Sequence, residues 1–419
     1  MQPTKKEIIA ASAINVGERE EVPQFKRDAY EEVWHILKRS ALNVSITGLR
    51  RVGKTTLIKQ LLNEWPDKAF YFSFDEPRYQ NYETLKHVIE TFITEADKPL
   101  IALDEVGKIK EWAGLIKKYY DQGKARFIIS GSSSLNISKG KESLAGREFE
   151  VRLPPLQYNE FISYAYGERP LMEFGEIFRR NIKNRLPLFL RQGSFPETAR
   201  MDADLAARYI ADSVVSKITF EDIPTVFRIE YRAKLHELLH YMVEYSGNLL
   251  YENAVANLLG INKTTVKEYI FYLEQTFLAY LIYTEGAFTK RLRKTKKAYV
   301  ACPSIYTALS STYSDGVAAE VAVFDKLLAM GEKPFFYRDA QQREVDFIFR
   351  SVPIEVKFRN QVSHQELRHL LYYMERREKD VGIVITKDYL DEQQIKGRRI
   401  IFVPLHLFLA VTSFKDFPA

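Results

Sequence analysis

The sequence predicts an α/β protein with a parallel sheet built around a phosphate-binding loop and a second, smaller α/β domain towards the C-terminus. Three observations predict it. A short apolar strand, Leu42–Thr47, runs into Gly48-Leu49-Arg50-Arg51-Val52-Gly53-Lys54-Thr55-Thr56, after which Leu57, Ile58, Leu61 and Leu62 recur at helical spacing. A second apolar run, Pro99–Leu103, ends in Asp104-Glu105, as a strand buried on both faces does when its functional residues sit at the carboxyl end. Far downstream, Glu344–Phe349 and Ile354–Phe358 alternate at strand period around a short turn, Arg350–Pro353, and read as a hairpin.

The glycine run fits GxxxxGK[ST] without substitution, with the strand and helix that the motif needs on either side. Two glycines let the backbone curl so that its N–H groups face phosphate oxygens, and the helix start adds partial positive charge. Gly48, Arg51, Val52, Gly53, Lys54, Thr55 and Thr56 are therefore candidate nucleotide contacts. Lys54 would reach the β- and γ-phosphates and the Thr55 hydroxyl would ligate Mg²⁺. Asp104 would hold the Mg²⁺ shell through water, and Glu105 would polarise the attacking water as general base. Ile109, Trp112, Leu115, Ile116 and Tyr119 then share one helical face, which is packing.

A further strand, Arg126–Ser130, leads into Gly131-Ser132-Ser133-Ser134. Ser130 is the first candidate for a sensor of the γ-phosphate or of the water between the two acids. Ser132 is the second, and a plain Ser/Gly turn is the alternative. In Ser143-Leu144-Ala145-Gly146-Arg147, Arg147 could stabilise transition-state charge in cis or from a neighbouring subunit. A surface arginine fits the same residues equally well.

As an ordered set, GLRRVGKTT, LDEV, SGSSSL, SLAGR, LPPLQYNEF and GSFPE resemble the archaeal and bacterial P-loop ATPases of the AAA+-like, STAND-related branch. The resemblance runs from about residue 20 to the C-terminus. It implies ATP held at Lys54, Thr55 and Asp104, with Glu105 assisting hydrolysis. It also implies that Phe25-Lys26-Arg27-Asp28 lies near the adenine, which makes Arg27 a candidate contact.

Composition narrows the remaining classes. A single cysteine, Cys302, excludes a disulfide framework and a cysteine zinc cluster and suits a cytoplasmic location. No apolar run approaches the ~18 residues of a membrane span. The net charge of +6 permits a nucleic-acid partner, so where the charge lies matters more than its sum.

From Tyr158 to about Arg232 the sequence reads as helices with loops near Pro187 and Gly193–Pro196, a helical lid for the nucleotide domain. Leu235, Leu238, Leu239 and Met242 mark the next helix. Tyr251–Leu259, the turn Gly260-Ile261-Asn262, and a helix carrying Val266, Tyr269, Ile270 and Leu273 inward make a helix-turn-helix. Lys263, Thr264 and Lys267 fall on the outer side of its second helix, where a recognition helix meets DNA. Residues 288–299 are the densest basic run, and Lys290, Arg291, Arg293 and Lys294 are candidate phosphate contacts of a wing. A solvated basic hairpin is the alternative. His236-Glu237-Leu238-Leu239-His240 is an HExxH string, but Leu238 and Leu239 are needed by the core and no third histidine follows, so a metalloprotease is not expected.

In the C-terminal hairpin, period two puts Glu355 and Lys357 on one face, with Asp346 able to lie opposite. Two carboxylates and a lysine could hold Mg²⁺ or Mn²⁺ while the lysine orients or activates water. Asp346, eight residues, then Glu355-Val356-Lys357 resembles the PD-(D/E)XK nuclease pattern, and that likeness assigns Glu320 as the acid from a preceding helix.

The expected organisation is a P-loop ATPase core over 1–155, a helical lid over 156–232, a winged helix over 233–300 and a restriction-endonuclease-like domain over 301–419. The expected function is ATP-driven binding of nucleic acid, DNA in preference to RNA, with metal-dependent cleavage at Glu320, Asp346, Glu355 and Lys357. The alternative is an ATP-controlled DNA- or protein-binding switch whose nuclease-like domain is a scaffold. A homo-oligomer or a protein partner is compatible with either.

Overall fold

The computed structural model describes residues 3–11, 22–131, 144–167, 176–287 and 295–411. The chain divides into two compact units, Met1–Pro154 and Pro155–Ala419.

The first unit runs α1 (Lys5–Ala11), α2 (Ala29–Arg39), β1 (Asn43–Thr47), α3 (Lys54–Glu64), β2 (Ala69–Ser73), α4 (Tyr82–Glu95), β3 (Leu100–Asp104), α5 (Trp112–Asp121), β4 (Arg126–Gly131), β5 (Glu148–Arg152). Its five strands are all parallel in the order β2-β3-β4-β1-β5, the arrangement of a P-loop NTPase. β1 and β3 are buried along their whole length, as their near-continuous apolar sequences require of strands covered on both faces. One side of the sheet packs Phe70, Phe72, Ile101, Leu103, Phe127 and Ile129 against Leu85, Val88, Ile89 and Phe92 of α4 and Leu115 and Ile116 of α5. This order sets the carboxyl ends of β1 and β3 close together, separated by β4 alone, the end of an open parallel sheet at which ligands bind.

The first residue of β4 closes a helix end. Arg126 donates from Nε to Leu42 O at 2.6 Å, from Nη1 to Leu37 O at 2.5 Å and from Nη2 to Ile36 O at 3.3 Å. Of these acceptors Leu37 O belongs to the last turn of α2, Ile36 O also accepts from Ser40 N, and Leu42 lies past the helix at the entry to β1, so the guanidinium ties the helix end to the sheet.

The second unit continues α6 (Tyr158–Tyr166), α7 (Glu176–Gln192), α8 (Ala203–Tyr209), α9 (Ile223–Val226), α10 (Arg232–Glu244), β6 (Leu249–Leu250), α11 (Glu252–Leu259), α12 (Lys263–Gln275), β7 (Ala279–Ile282), β8 (Lys296–Val300), α13 (Pro303–Leu309), α14 (Asp315–Ala329). It ends with β9 (Phe335–Arg338), β10 (Glu344–Phe349), β11 (Val352–Lys357), α15 (Arg368–Arg376), β12 (Val381–Thr386), β13 (Asp391–Ile395), β14 (Arg398–Pro404) and α16 (Leu405–Ala410).

Two details differ from what the sequence predicts. Pro187 lies inside α7 rather than in a loop. Ile182, Leu186, Phe189 and Leu190 bury one stripe of that helix, and the Tyr158 hydroxyl donates to Ile182 O one turn before the proline, so packing carries the helix through it. The hairpin turn is Arg350-Ser351 alone, with φ of 47° and 69°, a two-residue turn of the kind strand twist favours, and Pro353 sits in β11 opposite Ile348. Helices α6 and α7, expected as a lid, pack within the second unit against α16, and α7 also against α13.

Between α10 and β8 the helices α11 and α12 are joined by Gly260 at φ 65° and capped by Asn262, whose Oδ1 accepts from Thr265 N at 2.8 Å. β8 lies between β6 and β7 in a three-stranded antiparallel sheet. The last sheet has the order β13-β14-β12-β11-β10-β9. β9, β10 and β11 form an antiparallel meander, and β11, β12 and β14 run parallel. α15 packs Leu370, Leu371, Tyr373 and Met374 against Val345, Ile348, Val384, Ile400 and Phe402 of that sheet.

Arg126→Ala is expected to lower stability by about 2 kcal/mol, since it removes the donors to Leu37 O at the end of α2 and Leu42 O before β1. The urea midpoint of the purified chain measures it.

Candidate functional sites in the two units

The loop after β1 takes its shape from three residues at positive φ, Gly48 at 150°, Arg51 at 66° and Gly53 at 94°. A side chain at Gly48 would place its Cβ 2.3 Å from Leu153 O, so close approach as well as φ fixes glycine there. α3 starts immediately at Lys54, and its first N–H groups open onto the loop. Lys54 is buried and donates from Nζ to Gly48 O and Leu49 O, each at 3.0 Å.

Asp104, at the end of β3, is 2% exposed and gathers three hydroxyls. Oδ2 accepts from Thr55 Oγ1 at 2.7 Å and from Tyr71 at 2.9 Å, while Ser130 Oγ donates to Oδ1. Strand order explains the meeting, because β2 and β4 flank β3 and α3 begins beside it. Glu105 follows at φ 56°, with Lys108 Nζ 3.8 Å from its Oε2. Burial holds its carboxyl above the ordinary range, against the pull of Lys54 and Lys108.

Two arginine candidates are engaged elsewhere. Arg27 is buried and donates to Val52 O at 2.6 Å and to Pro154 O at 2.8 Å, bracing the loop backbone. Arg147 donates from Nε to Asp121 Oδ1 at 2.7 Å and from Nη2 to Oδ2 at 3.1 Å. Ser132 lies outside the described residues, as do Lys290, Arg291, Arg293 and Lys294.

In the second unit the structure brings Glu320, Asp346, Glu355 and Lys357 together and adds Lys297, Tyr299 and Glu344. Lys297, on β8, is 2% exposed. Its Nζ lies 2.7 Å from Glu344 Oε1, 3.6 Å from Asp346 Oδ1 and 3.8 Å from Glu320 Oε1. Burial opposes its charge, but the carboxylates of Glu320, Asp346 and Glu344 outweigh that and hold the ammonium well above its ordinary range. Tyr299, two residues on and on the same face, donates to Glu320 Oε1 at 2.7 Å. Asp346 Oδ2 accepts from Val356 N at 2.8 Å, and Lys357 Nζ donates to Glu355 Oε1 at 2.6 Å. Glu355 Oε2 is buried without a hydrogen-bond partner. Burial, then the charge of Asp346, pushes Glu320 up to about 7 and Glu355 up to about 8. Among the described residues no three His, Cys, Asp or Glu side chains converge closely enough to hold a metal ion. The ammonium of Lys297 approaches Asp346 itself, one of the two acids expected to hold a metal.

By sequence Lys297 belongs to a phosphate-tracking basic run, whereas its side chain turns into the acids. The signal for this is its two-residue spacing from Tyr299 in an otherwise apolar strand end. Lys263, Thr264 and Lys267 are exposed on α12. Lys263 and Lys267 each approach Glu252 Oε2 to 3.6 Å, and Lys296 approaches Oε1 to 3.7 Å. In the HExxH string, His236 and His240 bring Nε2 atoms within 3.2 Å, His236 Nδ1 meets Thr219 Oγ1 at 3.1 Å, and Glu237 pairs with Lys234 at 2.9 Å.

Residues 41–162 match a family described as an AAA domain. Residues 184–315 and 315–408 match two families, each described as a domain of unknown function (DUF8612 and DUF4143). The uncharacterized protein MJ1637 of Methanocaldococcus jannaschii is 26% identical over 410 residues, covering 87% of this chain and 84% of its own. MJ1544 of the same organism is 24% identical over 314 residues, covering 72% of this chain and 71% of its own. Among solved structures, RuvB of Thermotoga maritima, a Holliday junction branch migration motor, aligns with a TM-score of 0.32 and 14% identity over 62% of this chain and 92% of its own. AMPPCP-bound DnaA from Aquifex aeolicus aligns with a TM-score of 0.27 and 18% identity over 61% and 89%. The first unit is thus an AAA-type, P-loop ATPase-like domain by its sheet and by its family match.

Groups that bind protons more tightly in the folded chain stabilise it at low pH and lose that contribution as pH rises through the folded pKa. Glu320 and Glu355 are of this kind, so stability is expected to fall between about pH 6.5 and 8. His236, His369 and His406 titrate in the opposite sense, below that window. Urea unfolding at the two pH values tests this, and the fall should be smaller in Glu355→Gln.

Proposed function

We propose that the chain binds and hydrolyses ATP at Gly48–Thr56 and that its second unit engages nucleic acid. The ATPase reading rests on one observation above the rest, the convergence on Asp104 of Tyr71, Ser130 and Thr55, the last of these next to Lys54 in the chain. Lys54, now on loop carbonyls, would turn to the β- and γ-phosphates, and the N–H groups of the loop through Thr56 would line the phosphate chain. Thr55 and Asp104 would hold Mg²⁺, which supplies charge neutralisation at the phosphates. Glu105 would accept the proton of the attacking water, its raised carboxyl pKa making it the stronger base. Ser130, on the far side of Asp104, is the candidate sensor, and Arg27, expected near the adenine, also holds the loop in shape.

For the second unit we propose a helical segment over 156–232, a winged helix over 233–300 and a nuclease-like domain over 301–419. The order α10, β6, α11, α12, β7, β8 supports the winged helix, with exposed Lys263, Thr264 and Lys267 as its nucleic-acid contacts. The order α14, β9, β10, β11, α15, β12 supports the nuclease-like domain, because it carries Glu320, Asp346, Glu355 and Lys357 to one place. There Asp346 and Glu355 would hold Mg²⁺ or Mn²⁺, a Lewis acid for a phosphodiester, and Lys357 would orient the attacking water. One observation favours the second reading, an ATP-controlled switch without cleavage: the Lys297 ammonium already occupies the space between Glu320, Glu344 and Asp346, where a cation would compete with it.

Three measurements decide between these. Lys54→Ala is expected to abolish ATP hydrolysis, and Glu105→Gln to slow kcat about 100-fold or more while ATP still binds. Incubation with branched and single-stranded DNA in Mg²⁺ or Mn²⁺ should give cleavage that Asp346→Ala loses. Absence of any cleavage beside an intact ATPase would leave the switch.

A further inference from the structure

The HExxH string on α10 serves neither the ATPase nor the nucleic-acid reading. His236 and His240 are half-buried, four residues apart on one helical face, and their Nε2 atoms stand 3.2 Å from each other. Thr219, buried in the helical segment Ile218–Asp222, fixes the proton on the first of them. Its single hydroxyl proton goes to Val215 O at 3.0 Å. The same oxygen, 3.1 Å from His236 Nδ1, therefore accepts, and Nδ1 carries the hydrogen. Neutral His236 thus presents a lone pair at Nε2, and a hydrogen bond from the far ring nitrogen is what metal-ligating histidines almost always make. Spacing agrees. Two zinc–nitrogen bonds of about 2.0–2.1 Å span 3.2 Å at an angle of about 100–106°, close to tetrahedral. The ring centroids are 4.7 Å apart, nearer the ~5 Å of two imidazoles converging on one cation than the ~5.5 Å of a linear N–H···N pair. Glu237 is exposed and paired with Lys234 at 2.9 Å, so the string offers two imidazoles and no protease base.

We propose that His236 and His240 form an exchangeable site for a divalent d-block cation of the Zn²⁺ class, held by their two Nε2 atoms with water in the remaining positions. Without the cation, His240 Nε2–H supplies the hydrogen of the contact, and on binding that proton moves to Nδ1 of the same ring through solvent. Catalytic zinc sites use three protein ligands, so two give a weaker hold and a cation that comes and goes with its supply. Imidazole favours such ions over Mg²⁺ and Mn²⁺, which suit carboxylates and phosphates, so the site is chemically separate from the phosphate loop and from the C-terminal acids. Thr219 is a positioning residue that acts through His236. It also gives the site two supports, because Ile218–Asp222 packs on α10 and occupancy would hold the two together.

Calorimetric titration of the full chain with Zn²⁺, after stripping with EDTA and removal of the chelator, tests the proposal in the absence of nucleotide. One tightest equivalent is expected. His236→Gln, His240→Gln and the double variant should each lose it, while His35→Gln, at an exposed histidine of α2, should keep it. Thr219→Val keeps the buried shape and should weaken Zn²⁺ about 10-fold or more. A merely structural threonine would instead lower the urea midpoint in EDTA and leave the affinity unmoved. Cu²⁺ should bind more tightly than Zn²⁺, and Mn²⁺ should fail to displace it. The EPR spectrum of the first equivalent of Cu²⁺ on the unaltered chain needs no variant and should show coupling to two imidazole nitrogens. Equal Zn²⁺ binding by the unaltered chain and the double variant overturns the proposal. So does a first Cu²⁺ bound by fewer than two imidazoles, or displacement of Zn²⁺ by an equal concentration of Mn²⁺.

Discussion

One ammonium group holds the second unit's chemistry in place. Three carboxylates from α14 and β10 would repel one another inside a protein, and each would raise the cost of burying the next. Lys297, carried in from β8, lies within 3.8 Å of all three and lets these half-buried acids stand side by side. The same contact ties the three-stranded sheet to the six-stranded one, since β8 belongs to the first and β10 to the second. A buried pair of this kind adds little net stability against an apolar isostere, but losing Lys297 would leave Glu320 and Asp346 short of a cation, whereas Glu344 keeps Arg338 at 2.6 Å. The arrangement is therefore sensitive to any change at Lys297.

The first unit follows a different logic, in which charge is held by hydroxyls. Asp104 is almost wholly buried, and the groups that donate to its carboxylate are the hydroxyls of Thr55, Tyr71 and Ser130. Hydroxyl donors satisfy a carboxylate without neutralising it, so the site keeps its negative charge next to the positive end of α3. Phosphates and a divalent cation need both signs within a few ångströms of each other.

Much of this architecture is legible in the residues themselves. The phosphate loop, the acids ending β3 and the central strand can be read because buried parallel strands are unbroken apolar runs and the loop needs glycine at fixed spacing. Asp346, Glu355 and Lys357 are legible because strand period two fixes which side chains share a face. Lys297 is hidden by composition. Within residues 288–299 it looks like its basic neighbours, and only β8's pairing with both β6 and β7 turns that face inward. The grip of Arg27 on Val52 O and Pro154 O is hidden for a related reason, because a side chain that holds backbone carbonyls leaves no pattern in the residues it holds. Pro187 inside α7 shows tertiary packing overriding a local breaker.

The contact between Gly48 and Leu153 joins the two ends of the first unit's working part. The glycine lies so near Leu153 O that no side chain fits, and Arg27 clasps Val52 O with one nitrogen and Pro154 O with another. Pro154 is the last residue of the unit, where the chain leaves for the second. Leu153 N also donates to Thr47 O at 2.8 Å, so the phosphate loop, the end of β1 and the segment after β5 brace one another, and a substitution at any of the three would be felt at the loop.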